Sequence, residues 1–257
     1  MPPKLYLVRH AEGEHNATRN YTIPDPPLTA KGKSQCHALQ STFEHHNAID
    51  LVLASPLRRT IQTAALSFGR TLARNEVPFV LLPLLQEVSD SGSDTGSAPD
   101  ELKRGISELF ANDGIEFDLG KIDFGAVHEE WDSKTGIYAY TKEAISQRAS
   151  DLRKYMFKRP ETNILVVTHG AFLHFLTEDW DVSDPMTSNL FAGTAYNNCE
   201  LRVFEFTPES TSSGARIVET AESKQSRGQD QPETDPHVLD DLSVVSEKMT
   251  NGDVVGS

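Results

Sequence analysis

Short apolar runs alternate with helix-period stretches along most of the chain. The segments KLYLV (Lys4–Val8), DLVLA (Asp50–Ala54), FVLLP (Phe79–Pro83) and NILVVT (Asn163–Thr168) are continuously apolar, which predicts strands buried on both faces. CELRVFEF (Cys199–Phe206) alternates instead, as a half-exposed edge strand does. ALQSTFEHH, PLRRTIQTAALSF and TKEAISQRASDLRKYMF read as helices, and in the last Ile145, Ala149, Leu152 and Met156 recur on one helical face. Strand–helix alternation predicts the α/β class: a three-layer α/β/α sandwich around a mostly parallel central sheet.

Two segments break the pattern. Ser89 to Lys142 is irregular and rich in Gly and Asp, with a short helix near DELKRGISELF; it reads as an insertion or lid over the active face. After Thr207 the periodicity dissolves into Ser, Thr, Glu, Asp, Gly and Pro. The division is therefore a folded domain over 1–207 and an acidic, disordered tail over 208–257, with VLDDLSVV as a short docking helix. Truncation after about Ser210 is expected to leave activity intact.

Charge narrows the partners. The formal net charge of −14 excludes nucleic acid and anionic membranes as general partners, so any anion must bind in a local basic pocket. No apolar run approaches the ~20 residues a membrane span needs. Charge comes too early in MPPKLYLVRH for a secretory signal. Two cysteines, Cys36 and Cys199, form no disulfide framework and no metal spacing, which favours a reduced compartment, cytoplasmic or nuclear.

The chemistry-bearing residues sit where strands end. In an open α/β sheet ligands bind at the carboxyl ends of the strands. The first predicted strand runs into Arg9-His10, then Ala11, Gly13 and Asn16. The second runs into SPLRRTIQTA, with Ser55 as the N-cap, Pro56 as the first helical residue, and Arg58 and Arg59 in the first turn. NILVVT runs into His169-Gly170-Ala171, and LLQEV supplies Glu87 after the third strand. Strand ends thus collect arginines, two histidines and an acid, with helix N-termini adding anion affinity. The histidine spacings, His10 to His15 and His169 to His174, do not match a zinc pair on a helix. His174 reads as a core histidine, and His45 and His46 as residues ending a helix.

These segments resemble the histidine phosphatase superfamily, the phosphoglycerate mutase-like fold with its Arg-His-Gly signature. LVRHAEGEHN is similar to that signature, PLTAKGKSQ to the family's Leu-Thr-x-x-Gly-x-x-Gln element, ASPLRRTIQTA to its helix start, LLQEV to its Leu-x-Glu segment and VVTHGAFL to its second-histidine loop. The matches occur in family order from Leu5 to about Phe206. The resemblance implies a metal-independent phosphomonoesterase without cofactor. It makes His10 the phosphorylated nucleophile, Arg9, Arg59 and His169 the phosphate-binding groups and Glu87 the general acid. Asn16, Gly13, Gly170 and Ala171 would line the pocket. Ala11 stands where the family usually has Gly, and the mutases' Phe-Thr-Gly-Trp segment is missing. The partner implied is a small phosphorylated substrate or phosphopeptide, with oligomeric state open. The rival readings are a phosphoglycerate-type mutase and a phosphate-binding scaffold without turnover.

Overall fold

The computed structural model describes residues 1–178, 196–227 and Val238. Seven strands form one sheet: β1 (Lys4–Arg9), β2 (Leu51–Ala54), β3 (Phe79–Leu81), β4 (Ile122–Asp123), β5 (Asn163–Thr168), β6 (Leu201–Phe206) and β7 (Ile217–Glu219). Their order is β4-β3-β2-β5-β1-β6-β7. The first five strands pair in parallel, and β6 and β7 run antiparallel at one side. Among the described residues eight α-helices accompany them: α1 (Glu14–Thr18), α2 (Ala30–Thr42), α3 (Arg58–Ser67), α4 (Gly69–Leu72), α5 (Pro99–Leu109), α6 (Lys142–Phe157), α7 (Gly170–Thr177) and α8 (Ala221–Ser226).

The three-layer arrangement follows from the pleat. Leu5, Leu7, Leu51, Leu53, Ile164 and Val166 face one side, where they pack with Ile145, Ala149, Leu152 and Met156 of α6 and Phe172 and Leu176 of α7. Tyr6, Val8, Val52, Ala54, Leu165 and Val167 face the other, against Ile61, Ala64 and Ala65 of α3 and Leu102 and Ile106 of α5. A continuously apolar strand is what a sheet covered on both faces requires. Arg153 of α6 closes the far end of α7, donating to the carbonyls of Phe175 (3.1 Å) and Leu176 (3.0 Å) that the helix leaves unpaired.

Several expectations need correction. β6 is not an edge strand: β1 pairs on one side and β7 on the other, so β7 takes the edge. The fold also does not stop at 207. Ile217 of β7 is in the core, and Ser223 of α8 accepts the Val203 N–H through its hydroxyl (3.0 Å). Both elements were invisible because β7 has three residues and α8 six, too short for a period to register. Of the remaining tail, Val238 is buried against the core of the α6–α7 side, and the rest of VLDDLSVV lies outside the described residues. Ser55 is not the N-cap of α3; Leu57 occupies that position with an extended backbone, and the helix starts at Arg58. His45 and His46 lie past the end of α2, and His46 is buried between Thr71 Oγ1 and the Gln40 carbonyl (both 2.9 Å).

The predicted insertion contains α5 and β4, and β4 extends the sheet beyond β3. Its anchor is Trp131, fully buried, with Nε1–H donating to the Ser97 carbonyl (3.0 Å) and its own carbonyl accepting from Gln86 Nε2 (2.7 Å). Among the described residues no helix is long and apolar enough to cross a membrane.

Candidate active site

Strand order decides which groups meet. β5 lies between β2 and β1, and the register sets Arg9 opposite Thr168 and Ala54 opposite Val167. The residues immediately after these strands, His10, His169 and the turn into α3, therefore emerge side by side. The His10 and His169 rings lie 5.2 Å apart between centroids, and the His15 ring stands 5.7 Å from His10.

The loop after β1 is held from three directions. Ala11 N–H donates to Thr63 Oγ1 (3.0 Å), Glu12 N–H to Gln35 Oε1 (2.9 Å) and Gly13 N–H to Asn16 Oδ1 (3.0 Å). Thr29 caps α2 through its hydroxyl, and a Cβ at Gly32 would fall 2.2 Å from the Glu12 carbonyl oxygen. The Thr, Gly and Gln of PLTAKGKSQ thus each support the loop bearing His10. Ala11 has no positive φ, so alanine fits without strain. At Gly13 a Cβ would meet the His15 ring at 2.7 Å.

Hydrogen bonds fix which ring nitrogen carries the proton. His10 Nδ1 lies 2.8 Å from the Ala11 carbonyl oxygen, which can only accept, so Nδ1 carries the proton and the lone pair is on Nε2. His169 has the opposite tautomer. Its Nδ1 lies 3.1 Å from Arg59 Nη2, which can only donate, so the His169 proton is on Nε2. That Nε2 and the Nε of Arg59 are buried with no hydrogen-bond partner among the described residues. Burial, then the Arg59 charge, hold both imidazoles well below their ordinary pKa. His169 is therefore a neutral donor in this site.

The two arginines at the start of α3 separate cleanly. Arg58 turns away, donating from Nε to the Asp25 carbonyl (2.6 Å). Arg59 turns inward and is fully buried, donating to the Ser93 carbonyl (2.6 Å), Asp94 Oδ1 (2.8 Å) and His169. Arg9 is buried too and donates to the Tyr196 carbonyl (2.7 Å). A Cβ on Gly170 would fall 3.2 Å from Arg9 Nε and 2.7 Å from Val238 Cγ2, so glycine there leaves room for both.

Glu87 is placed differently from a simple loop acid. Its Oε1 accepts the N–H groups of Val88 (3.0 Å) and Phe172 (2.8 Å), and its Oε2 the N–H of Ala171 (3.2 Å). The α7 N-terminus, expected to offer Ala171 to a substrate, is filled from within by this carboxyl; for Ala171 that corrects the sequence expectation. Burial first, then the Asp94 charge, raise the Glu87 pKa, while Arg59 and the backbone donors oppose the rise. The gathered groups comprise an imidazole with its lone pair on Nε2, two buried guanidiniums, a neutral N–H donor and a carboxyl whose pKa is raised.

Three further groups join the site. Asp94 joins Arg59 in an ion pair buried on both sides and also accepts from Ser89 Oγ (2.5 Å). Arg148 of α6 stacks 4.3 Å over the Phe172 ring and donates to the Gln86 carbonyl (2.5 Å). Lys134, half-buried, donates to the Glu87 carbonyl (3.3 Å). Asp94 and Lys134 lie in the irregular insertion, and Arg148 is a charged position inside a helix, so none carries a periodic signal. Two open cavities, of about 700 Å³ between α5 and β4 and about 600 Å³ among α2, α3 and α5, are lined by other residues than these.

The sequence profile of the histidine phosphatase superfamily (branch 1) matches residues 5–220. The chain belongs to this superfamily. It is 29% identical over 172 residues to a probable phosphatase of Schizosaccharomyces pombe, covering 65% of this chain and 74% of that one. It is 30% identical over 176 residues to the adenosylcobalamin/alpha-ribazole phosphatase of Escherichia coli, covering 67% and 76%. The crystal structure of a putative alpha-ribazole-5'-P phosphatase from Escherichia coli superposes with a TM-score of 0.49 at 22% identity, over 85% of this chain and 97% of that one. The histidine phosphatase described here is thus a phosphatase, a hydrolase, as its sequence relatives are named.

Proposed function

We propose that the protein is a metal-independent phosphomonoesterase that works through a phosphohistidine on His10. The observation that carries this reading is the His10 tautomer: the Ala11 carbonyl holds the Nδ1 proton and leaves the Nε2 lone pair to attack. In the first step Nε2 forms a bond to phosphorus while the bond to the ester oxygen breaks, and Glu87 gives its proton to the departing alkoxide. In the second, water attacks phosphorus, Glu87 takes back a proton, and the P–N bond breaks to release phosphate. Splitting one displacement into two by a neutral imidazole is a standard route near pH 7.

Negative charge spreads over the equatorial oxygens in each step. Arg9, Arg59 and the Nε2–H of His169 are fixed donors for it, with Asn16, Gly13 and Gly170 around the same pocket. The orphaned Arg59 Nε and His169 Nε2 support an anion there, since buried donors otherwise cost ~1–3 kcal/mol each. The substrate class is a small phosphorylated molecule or phosphopeptide. Free, buried Cys36 and Cys199 accord with a reduced, cytoplasmic setting.

The test is rapid quench with phosphate-labelled substrate. Acid-labile, alkali-stable label on His10, lost together with turnover in His10→Ala, is the expected result. Label on a serine, cysteine or aspartate overturns the mechanism.

A further inference from the structure

Arg148 of α6 is a buried cation with no carboxylate bonded to it, and nothing in the proposed two-step mechanism uses it. Its hydrogen bonds go to two backbone carbonyls, Gln86 at 2.5 Å and Glu87 at 3.4 Å, and to no acid among the described residues. Its Nε is buried and without a hydrogen-bond partner among them. Buried charges are ordinarily paired, because leaving water costs a lone ion heavily. Burial lowers the Arg148 pKa, but only to about 10, so the group stays cationic near neutral pH. What it holds has to account for its being there.

Two segments meet at this side chain. Its Cζ lies 4.3 Å from the centre of the Phe172 ring, in the first turn of α7. Its N–H groups donate to the backbone at Gln86 and Glu87. The Glu87 carboxyl bridges the same two segments, reaching the N–H groups of Ala171 and Phe172. Phe172 is therefore held twice, by its N–H through Glu87 and by its ring through Arg148. One residue earlier, the Leu85 carbonyl accepts from Thr168 Oγ1 (2.7 Å), so the carbonyls of 85, 86 and 87 are all fixed by side chains from other segments. Lys134 shares only the last of them (3.3 Å). Arg148 alone joins that backbone to α7 as well. A planar guanidinium can stack by its face while donating from its edge, which an ammonium cannot do.

We propose that Arg148 is a positioning residue for the general acid: by holding the Gln86–Glu87 backbone against the first turn of α7, it sets where the Glu87 carboxyl stands. This rests on the phosphomonoesterase reading, in which Glu87 protonates the leaving oxygen, and adds the group that aims it. Such a group matters only where the acid does. Misplacing a reacting group by about 1 Å can cost on the order of 10²-fold. A leaving group that needs no proton is indifferent to that displacement.

The experiment reads one ratio: kcat/KM on glycerol 3-phosphate, whose alkoxide needs a proton, over kcat/KM on nitrophenyl phosphate, whose leaving group does not. The ratio cancels any loss of folded enzyme or of phosphate binding common to both esters. Arg148→Met is expected to lower it about 10–100-fold, a share of the ~10²–10⁴-fold that a positioned acid contributes. Arg148→Lys, which keeps the charge but cannot stack and donate together, should fall between that variant and wild type. In a Glu87→Gln background Arg148→Met should leave the ratio where Glu87→Gln alone sets it, because no acid remains to aim. Equal slowing of both esters by Arg148→Met, or the same fall in ratio with and without Glu87, overturns the proposal; the acid assignment then still stands on the fall caused by Glu87→Gln alone. If Arg148→Met does not fold, Arg148→Lys carries the same cycle, and a wild-type ratio in it overturns the proposal equally. A wild-type ratio in Glu87→Gln overturns the acid assignment itself, and the proposal with it.

Discussion

Replacing Glu87 by glutamine separates what this side chain does for the fold from what it does for the reaction. The carboxyl accepts three backbone N–H groups, two on Oε1 and one on Oε2. Glutamine keeps one acceptor oxygen. Set at the Oε1 position, it preserves the bonds from Val88 and Phe172, but its NH₂ then meets the Ala171 N–H, donor against donor. One buried backbone donor is left unmatched, which costs about 1–3 kcal/mol. At ~2–4 °C per kcal/mol for a domain of this size, Tm should fall by roughly 2–12 °C. That loss is the same whichever substrate is present.

The chemical loss is not. A sugar or glycerol alkoxide is a strong base and leaves only with a proton, whereas nitrophenolate leaves unaided. A positioned acid contributes ~10²–10⁴-fold, about 2.7–5.4 kcal/mol of barrier. Measured as kcat/KM, which reports steps up to the first irreversible one, Glu87→Gln should lose this factor on glycerol 3-phosphate and little on nitrophenyl phosphate. The pH profile adds a second readout. An acid must be protonated to act, so activity on the alkyl ester falls as pH rises through the Glu87 pKa. Because burial and Asp94 raise that pKa, the limb is displaced toward neutrality, and the variant should lack it. Equal slowing of both substrates would refute the assignment and make Glu87 a phosphate-positioning group, with Asp94 as the next acid to test.

Stability should also depend on pH through the two histidines. Their folded pKa values lie below the unfolded value of ~6.5, so the unfolded chain binds more protons and stability declines as pH falls from about 7 toward 5, by up to ~1.4 kcal/mol per pH unit for each ring; a Tm rising on acidification would contradict neutral buried rings. Truncation after Ser210, harmless on the sequence reading, should lower Tm and activity together, because it strips β7 from the edge of the sheet and Ile217 from the core; an unchanged melting curve would show that β7 and α8 are dispensable.

The legible part of this protein is the part written in periods and at strand ends. Continuous apolar runs located β1, β2, β3 and β5, and the residues following them are the ones the sheet brings together. PLTAKGKSQ and SPLRRTIQTA could be recognised as units because each residue of the pattern has a local task, such as Thr29 capping α2 and Thr63 holding Ala11. Arg59 could be chosen over Arg58 only by its spacing to Thr63; the structure gives the physical reason, which is that Asp25 holds Arg58 outward. Two-residue β4 and three-residue β7 carry no period at all. The boundary at 207 failed because an edge strand followed by a short polar helix has the composition of a tail.

The insertion was the least legible segment, and it is more than a lid over a finished site. Ser93 and Asp94 take two of the bonds that aim Arg59, and Asp94 also raises the pKa of Glu87. Trp131 ties the loop to Gln86, the residue before Glu87, and Lys134 ends on the Glu87 carbonyl. The strand ends of β1, β2 and β5 supply His10, His169, Arg9 and Arg59. The insertion sets the orientation of Arg59 and, through Asp94, raises the pKa of Glu87. Variation in this segment would therefore change the aim of Arg59 and the protonation of Glu87 together, because one residue, Asp94, acts on both.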